Sequence, residues 1–181
     1  MRSRGSGGRT AYRVALVGIC AATIECGKLA LAAVPNVEVV TLLTSLYGFT
    51  FGIWGVLATV IFVMIEPLIW GFGSWMISYF IYWPLLSLCF MLLGRARVRS
   101  RAVITAAALV FTLFFGILSS LVDVGLFSGY FDNFFYRFGI YYARGIVFYA
   151  VQTATNAVLF PLLFIPLHRT LSRFGAGLKK I

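Results

Sequence analysis

The chain has 181 residues, of which 61% are hydrophobic and 11% charged, with a mean hydropathy of +0.97 and a formal net charge of +10. A globule of this size has too little interior to bury so much apolar surface, which excludes a soluble domain and makes lipid the solvent. The positive charge gathers in short clusters beside apolar runs, the pattern that sets membrane topology, and this argues against a nucleic-acid partner.

A helical span needs about 20 mainly apolar residues, and six runs fit. Residues 1–10, rich in Arg, Gly and Ser, read as a basic cytosolic tail. They are expected to be retained rather than cleaved as a signal, because the run that follows lacks a cleavage site and is interrupted by Glu25 and Lys28. The first span covers about 11–34 and ends at Pro35. The second covers about 39–51 and is short, with Gly52 and Gly55 marking a tight, uncharged turn. The third covers 53 to about 69, closing at Glu66-Pro67. The fourth covers 74–93, with Pro84 as an expected kink. The fifth covers 102–126. A longer connection, 127–138, carries Asp132, Asn133 and Arg137 among aromatics. The sixth covers 139 to about 167, with Pro161 and Pro166 near its end.

Three places hold most of the Lys and Arg residues: Arg2, Arg4, Arg9 and Arg13; Arg95, Arg97, Arg99 and Arg101; and Arg169, Arg173, Lys179 and Lys180. Six spans put all three on one side, which the positive-inside rule makes cytoplasmic. The acids Glu25, Glu38, Glu66, Asp123 and Asp132 then fall in the outward half. The expected fold is an all-α, integral-membrane six-helix bundle with both termini cytoplasmic, residues 11–168 forming the bundle between basic tails at 1–10 and 169–181.

Ionisable groups at membrane depth are costly and usually face a cavity or a partner. Glu25 and Lys28, one turn apart, either pair with each other or serve a site. Glu66 and Asp123, near the outer ends of their spans, are expected to be wet. Arg144 is the leading candidate, because Tyr141, Arg144, Phe148, Gln152 and Thr155 follow helical spacing and form a polar and aromatic stripe. A buried Arg144 must be matched by Asp123, Glu66 or a ligand. Trp75, Tyr79 and Tyr82 share a face of the fourth span and form either an interfacial belt or a pocket wall. The expected site therefore comprises Asn36, Glu38, Glu66, Trp75, Tyr79, Tyr82, Asp123, Arg144 and Gln152, lying between the fourth, fifth and sixth spans and closed by the Asn36 and Trp70 loops.

Small residues at Ala11, Ala15, Gly18, Ala22, Cys26 and Ala30 trace a stripe on the first span, which serves either a partner subunit or packing within the bundle. Cys20, Cys26 and Cys89 lack metal-ligand spacing and read as small buried side chains. No metal and no cofactor is expected. Gly71-Phe72-Gly73-Ser74 resembles the setting of an intramembrane serine nucleophile, but the single histidine, His168, belongs to the opposite end, and no phosphate-binding Gly-rich loop occurs. The chain is not expected to be an enzyme.

The six short spans, the small-residue first helix, and the stretch 29–41 with Pro35-Asn36-Val37-Glu38 and Thr41, followed by Tyr47-Gly48 and Phe51-Gly52, resemble the substrate-binding S components of energy-coupling factor (ECF) vitamin transporters. The resemblance covers most of the chain in architecture, with its motifs between residues 11 and 94. It implies a multi-pass protein of the bacterial plasma membrane that captures a water-soluble vitamin or precursor in its outer half, gated by the loop after the first helix. It also implies toppling to release the solute while docked to a transmembrane coupling subunit driven by two ABC ATPases. The family's Ala-x-x-x-Ala docking motif is matched by Ala11 and Ala15 and continued by Gly18 and Ala22. Glu66-Pro67 followed by 70–75 departs from any ligand signature, which leaves a corrinoid or its precursor, or another aromatic vitamin, as the solute. A membrane scaffold of a cell-shape complex, of the MreD kind, is similar in size and helix number and binds proteins instead.

Overall fold

The computed structural model describes the backbone of residues 4–178 apart from 36 and 128–131, and the side chains of 7–173 within that range. Every regular element among them is helical, as a chain that must satisfy its own backbone polar groups in lipid requires. The helices are α1 (Arg4–Leu31), α2 (Val40–Phe51), α3 (Ile53–Trp70), α4 (Trp75–Arg95), α5 (Arg101–Val122), α6 (Phe134–Leu159) and α7 (Ile165–Leu178). A π-helical turn, Asp123–Phe127, extends α5, and a second, Phe160–Phe164, joins α6 to α7, so the chain forms six consecutive rods. Pro161 lies in that second turn. It offers no N–H and its ring crowds the carbonyl four residues back, which a wider turn accommodates.

Five helices are long and apolar enough to cross a membrane. With 12 residues, α2 reaches only about 18 Å. Its short reach is continued by Gly52, whose φ of +63° reverses the chain directly into α3. The sequence boundaries shift in four places. Helix α1 begins at Arg4, inside the expected tail. Helix α3 runs past Pro67 to Trp70, where Gly71, with φ +79°, ends it by donating to the Pro67 carbonyl. Helix α6 begins at Phe134, within the expected connection. At the end of the sixth span, α7 continues to Leu178 through most of the expected tail at 169–181.

The closest pairing is α2 on α4. It depends on glycine: a Cβ at Gly48 would overlap the Ser87 carbonyl oxygen, and one at Gly94 the Phe49 carbonyl oxygen. The Ser87 hydroxyl donates to the Thr44 carbonyl at 3.2 Å across the same seam. Gly48→Ala is therefore expected to lower stability by roughly 1–3 kcal/mol through overpacking, read as a fall in thermal unfolding temperature in detergent. An unchanged midpoint would show that the seam is looser than this.

Leu42, Leu46, Phe62, Leu86, Phe90, Ile104 and Phe164 fill the centre. The outer surface carries large exposed apolar side chains on every membrane-length helix, including Ile19, Leu68, Ile81, Val110 and Val147, a belt that only lipid or another membrane protein would solvate well. The Cys26 side chain belongs to this outer surface, unlike buried Cys20, which corrects the expectation that all three cysteines are interior.

The chain alternates direction, and its contacts sort the charges by end. Arg13 lies 5.0 Å from the Trp54 ring centroid. His168 bonds to Thr50 at 2.9 Å, and Phe49, Val98, Arg99, His168 and Arg169 surround one groove. The arginine clusters thus share the end of the bundle where α2 meets α3, and Glu25, Glu38 and Glu66 occupy the other.

A candidate solute-binding site at the acidic end

Helices α1 and α3 run side by side in the same direction, so their C-terminal turns meet. There Lys28 forms an ion pair with Glu66, whose side chain is fully buried. The Lys28 ammonium also lies 5.2 Å from the ring centroids of both Trp70 and Tyr79. Lys28 therefore passes over its neighbour Glu25. Magnitudes explain the choice: an i,i+3 pair on a helix is worth a few tenths of a kcal/mol, whereas an unpaired buried carboxylate costs several. One expectation is corrected here, a wet Glu66, and of the two readings left open for Glu25 and Lys28 the local ion pair is not formed.

Glu25 is left 7% exposed with no N–H or hydroxyl donor on either carboxylate oxygen. Its carboxylate lies within interaction range of Glu66 and Lys28. One Glu66 oxygen also lacks a hydrogen-bond partner. Tyr79 is within electrostatic reach of Glu25, Glu38 and Glu66, and so links this group to a second one.

The second group centres on Glu38, in the segment ahead of α2. One of its oxygens accepts from the Thr41 backbone N–H at 2.8 Å, satisfying a donor in the first turn of α2. The other accepts from the Thr41 hydroxyl at 2.5 Å, Asn156 Nδ2 at 3.1 Å and Gln152 Nε2 at 3.4 Å. Asn156 Nδ2 also donates to the Thr112 hydroxyl at 3.1 Å. Glu38 therefore ties the α1–α2 connection to α5 and α6.

Between the groups stands an aromatic wall from α4. Trp75, Tyr79 and Trp83 stack edge to face with centroids 5.0 and 5.6 Å apart, and Tyr82 meets Trp83 at 4.7 Å and Phe115 at 4.8 Å. The buried Ser78 hydroxyl, Tyr82 hydroxyl and Trp83 indole N–H have no hydrogen-bond partner. Buried polar atoms are nearly always paired; most of the unpaired ones, with those of Glu25 and Glu66, lie toward this end of the bundle, while Ser45 on α2 and Thr105 near the start of α5 lie outside it.

The structure brings together Glu38, Glu66, Trp75, Tyr79, Tyr82 and Gln152 from the expected set. Asn36 lies outside the described residues. Asp123 sits half-buried in the π turn after α5 and makes no ion pair among the described residues. Arg144 is exposed on the outer side of α6, which corrects its placement in the interior. The inward stripe of α6 runs through half-buried Tyr149 and buried Gln152 and Asn156, and continues to Phe160 in the π turn. The expected stripe precedes it by one residue at Phe148 and Thr155, which rotates it by about 100°. The centre of charge also moves, from between α4, α5 and α6 to between α1, α3 and α4, with Glu38 reaching α5 and α6. Lys28 and the Trp70 loop were raised as possible parts of the site, whereas Trp83, Thr112, Asn156, and Thr41 as a partner of Glu38, were not expected. Asn156 was within reach of sequence reasoning, since it stands four residues after Gln152 and hence on the same face.

Ala11, Ala15, Gly18 and Ala22 all face away from the bundle, and a Cβ at Gly18 would meet nothing within 4 Å. The stripe therefore takes no part in packing within the described fold.

Fold and site together define a multi-pass helical membrane protein with a buried acidic and aromatic cluster at one end. Comparison with protein-family models, curated proteins and solved structures finds no match to this chain.

Proposed function

We propose that this protein is the substrate-capturing subunit of an ECF-type importer in the bacterial plasma membrane. It takes up a water-soluble, vitamin-type solute at its outward end and delivers it through a transmembrane coupling subunit and two ABC ATPases. The observation that carries this reading is the acidic end: Glu25, Glu38 and Glu66 with one buried-reaching Lys28, set against Tyr79, Tyr82 and Trp83. Burying such groups costs several kcal/mol that better-packed apolar residues would not, and within membranes they mark binding paths. The arginine clusters at the opposite end, read by the positive-inside rule, turn the acidic end outward and both termini inward.

Of the solutes left open by the resemblance, a compact aromatic vitamin fits better than a corrinoid, because the polar groups converge on one short aromatic wall. The exposed small stripe on α1 supports the coupling interface, since small residues let a partner helix approach closely. Ala15→Trp is expected to reduce co-purification of the coupling subunit at least severalfold while leaving the unfolding midpoint of the isolated protein unchanged. Native mass spectrometry of the purified protein tests the reading directly, with a bound vitamin-type small molecule as the expected result. Finding neither a small molecule nor a coupling subunit, with cell-shape proteins co-purifying instead, would replace it with the scaffold reading.

A further inference from the structure

The place held by the Lys28 ammonium is a cation site by its chemistry. It combines the Glu66 carboxylate with the faces of Trp70 and Tyr79, both 5.2 Å away. Aromatic faces attract cations through the ring quadrupole, and most strongly weakly hydrated organic ones. The site is also one positive charge short. Glu25 and Glu66 stand against a single lysine, and Glu25, 7% exposed, lies against the Glu66 carboxyl with no N–H or hydroxyl donor on either oxygen. No other Lys or Arg makes an ion pair among the described residues, and Arg144 points outward. The cluster is reachable, since Trp70 is 49% exposed and the Lys28 side chain 23%.

We infer that the acidic end recognises a solute bearing an organic ammonium group, which binds against Glu25 and the Trp70 and Tyr79 rings beside Lys28. This rests on reading the acidic end as the solute site, and it narrows the solute to a cation. A bare metal ion is a poorer fit, because Lys28 repels it, the rings cannot replace its oxygen ligands, and no three His, Cys, Asp or Glu side chains among the described residues are placed to hold one together.

Choline and its neutral carbon analogue, dimethylbutanol, have the same shape and differ in charge, so they isolate the contribution of the cation. Calorimetric titration of the full-length protein in lipid nanodiscs is expected to show choline binding at least about tenfold more tightly than dimethylbutanol. Glu25→Gln is expected to remove most of that difference while leaving the unfolding midpoint unchanged or raised, because the amide keeps the side chain's shape and removes a carboxyl that faces Glu66. Trp70→Leu, at a half-exposed position, is expected to weaken choline severalfold and provides a second variant if the first does not fold. Equal binding of the two probes to the unaltered protein overturns the inference without any variant. So does a response reproduced by sodium chloride, or preferential binding of benzoate, which would make Lys28 the solute's partner. A neutral or anionic vitamin found by mass spectrometry would also overturn it while leaving the importer reading intact, whereas choline selectivity without any coupling subunit would retain the cation site and remove the importer.

Discussion

Lys28→Met is expected to lower the unfolding free energy by about 3–5 kcal/mol, the usual cost of leaving one member of a buried ion pair alone. Glu66 is fully buried, and its ion pair with Lys28 is the charge compensation it has from α1. Methionine keeps the apolar length of lysine and its contact with the Trp70 and Tyr79 rings, so the loss isolates charge from packing. The double variant Lys28→Met with Glu66→Met should recover most of the loss, because it exchanges two charges for two apolar side chains of similar size. Unfolding of all four proteins in one detergent closes the cycle and gives the coupling energy. A single Lys28→Met variant within about 1 kcal/mol of the parent would mean that Glu66 is satisfied in some other way.

The same arithmetic separates what sequence reasoning reached from what it missed. Spans, the Gly52 turn and the gathering of arginines at one end follow from local composition, and the fold agrees with them at the level of elements. Pairing of charges depends on which helices adjoin. The parallel neighbourhood of α1 and α3 is a tertiary fact, and it took Lys28 from Glu25, three residues away, to Glu66, 38 residues away in sequence. Helical phase has a similar limit. A stripe through Tyr141, Arg144 and Phe148 looks as regular as one through Tyr142, Gly145 and Tyr149, and only the second faces α5, where Tyr149 lies close to Gly116 and 3.4 Å from Ser120. An arginine makes a poor phase marker near a helix end, because its long side chain can reach the interface from a lipid-facing position. Polar amides deep in an apolar helix are better markers, since they have no such escape.

Asn156 illustrates that last point and should give the second-largest loss. Its side chain is fully buried and bridges three elements, donating at 3.1 Å both to Glu38 ahead of α2 and to the Thr112 hydroxyl on α5. Leucine has nearly the same volume, so Asn156→Leu removes hydrogen bonds without opening a cavity and is expected to cost about 2–3 kcal/mol, with a carboxylate left short of a donor as the main term. Gln152 offers an internal control, because it reaches the same Glu38 oxygen at 3.4 Å and from longer range. Gln152→Leu should therefore cost clearly less, about 1 kcal/mol. Glu38 is also held by Thr41 through both its N–H and its hydroxyl, so the first turn of α2 should persist in Asn156→Leu while the connection from α1 loosens from α5 and α6. Hydrogen exchange can resolve this, with faster exchange expected across 37–40 and little change within 44–48. Equal and small losses in both variants, with no local change in exchange, would show that Glu38 does not tether the connection to the far side of the bundle.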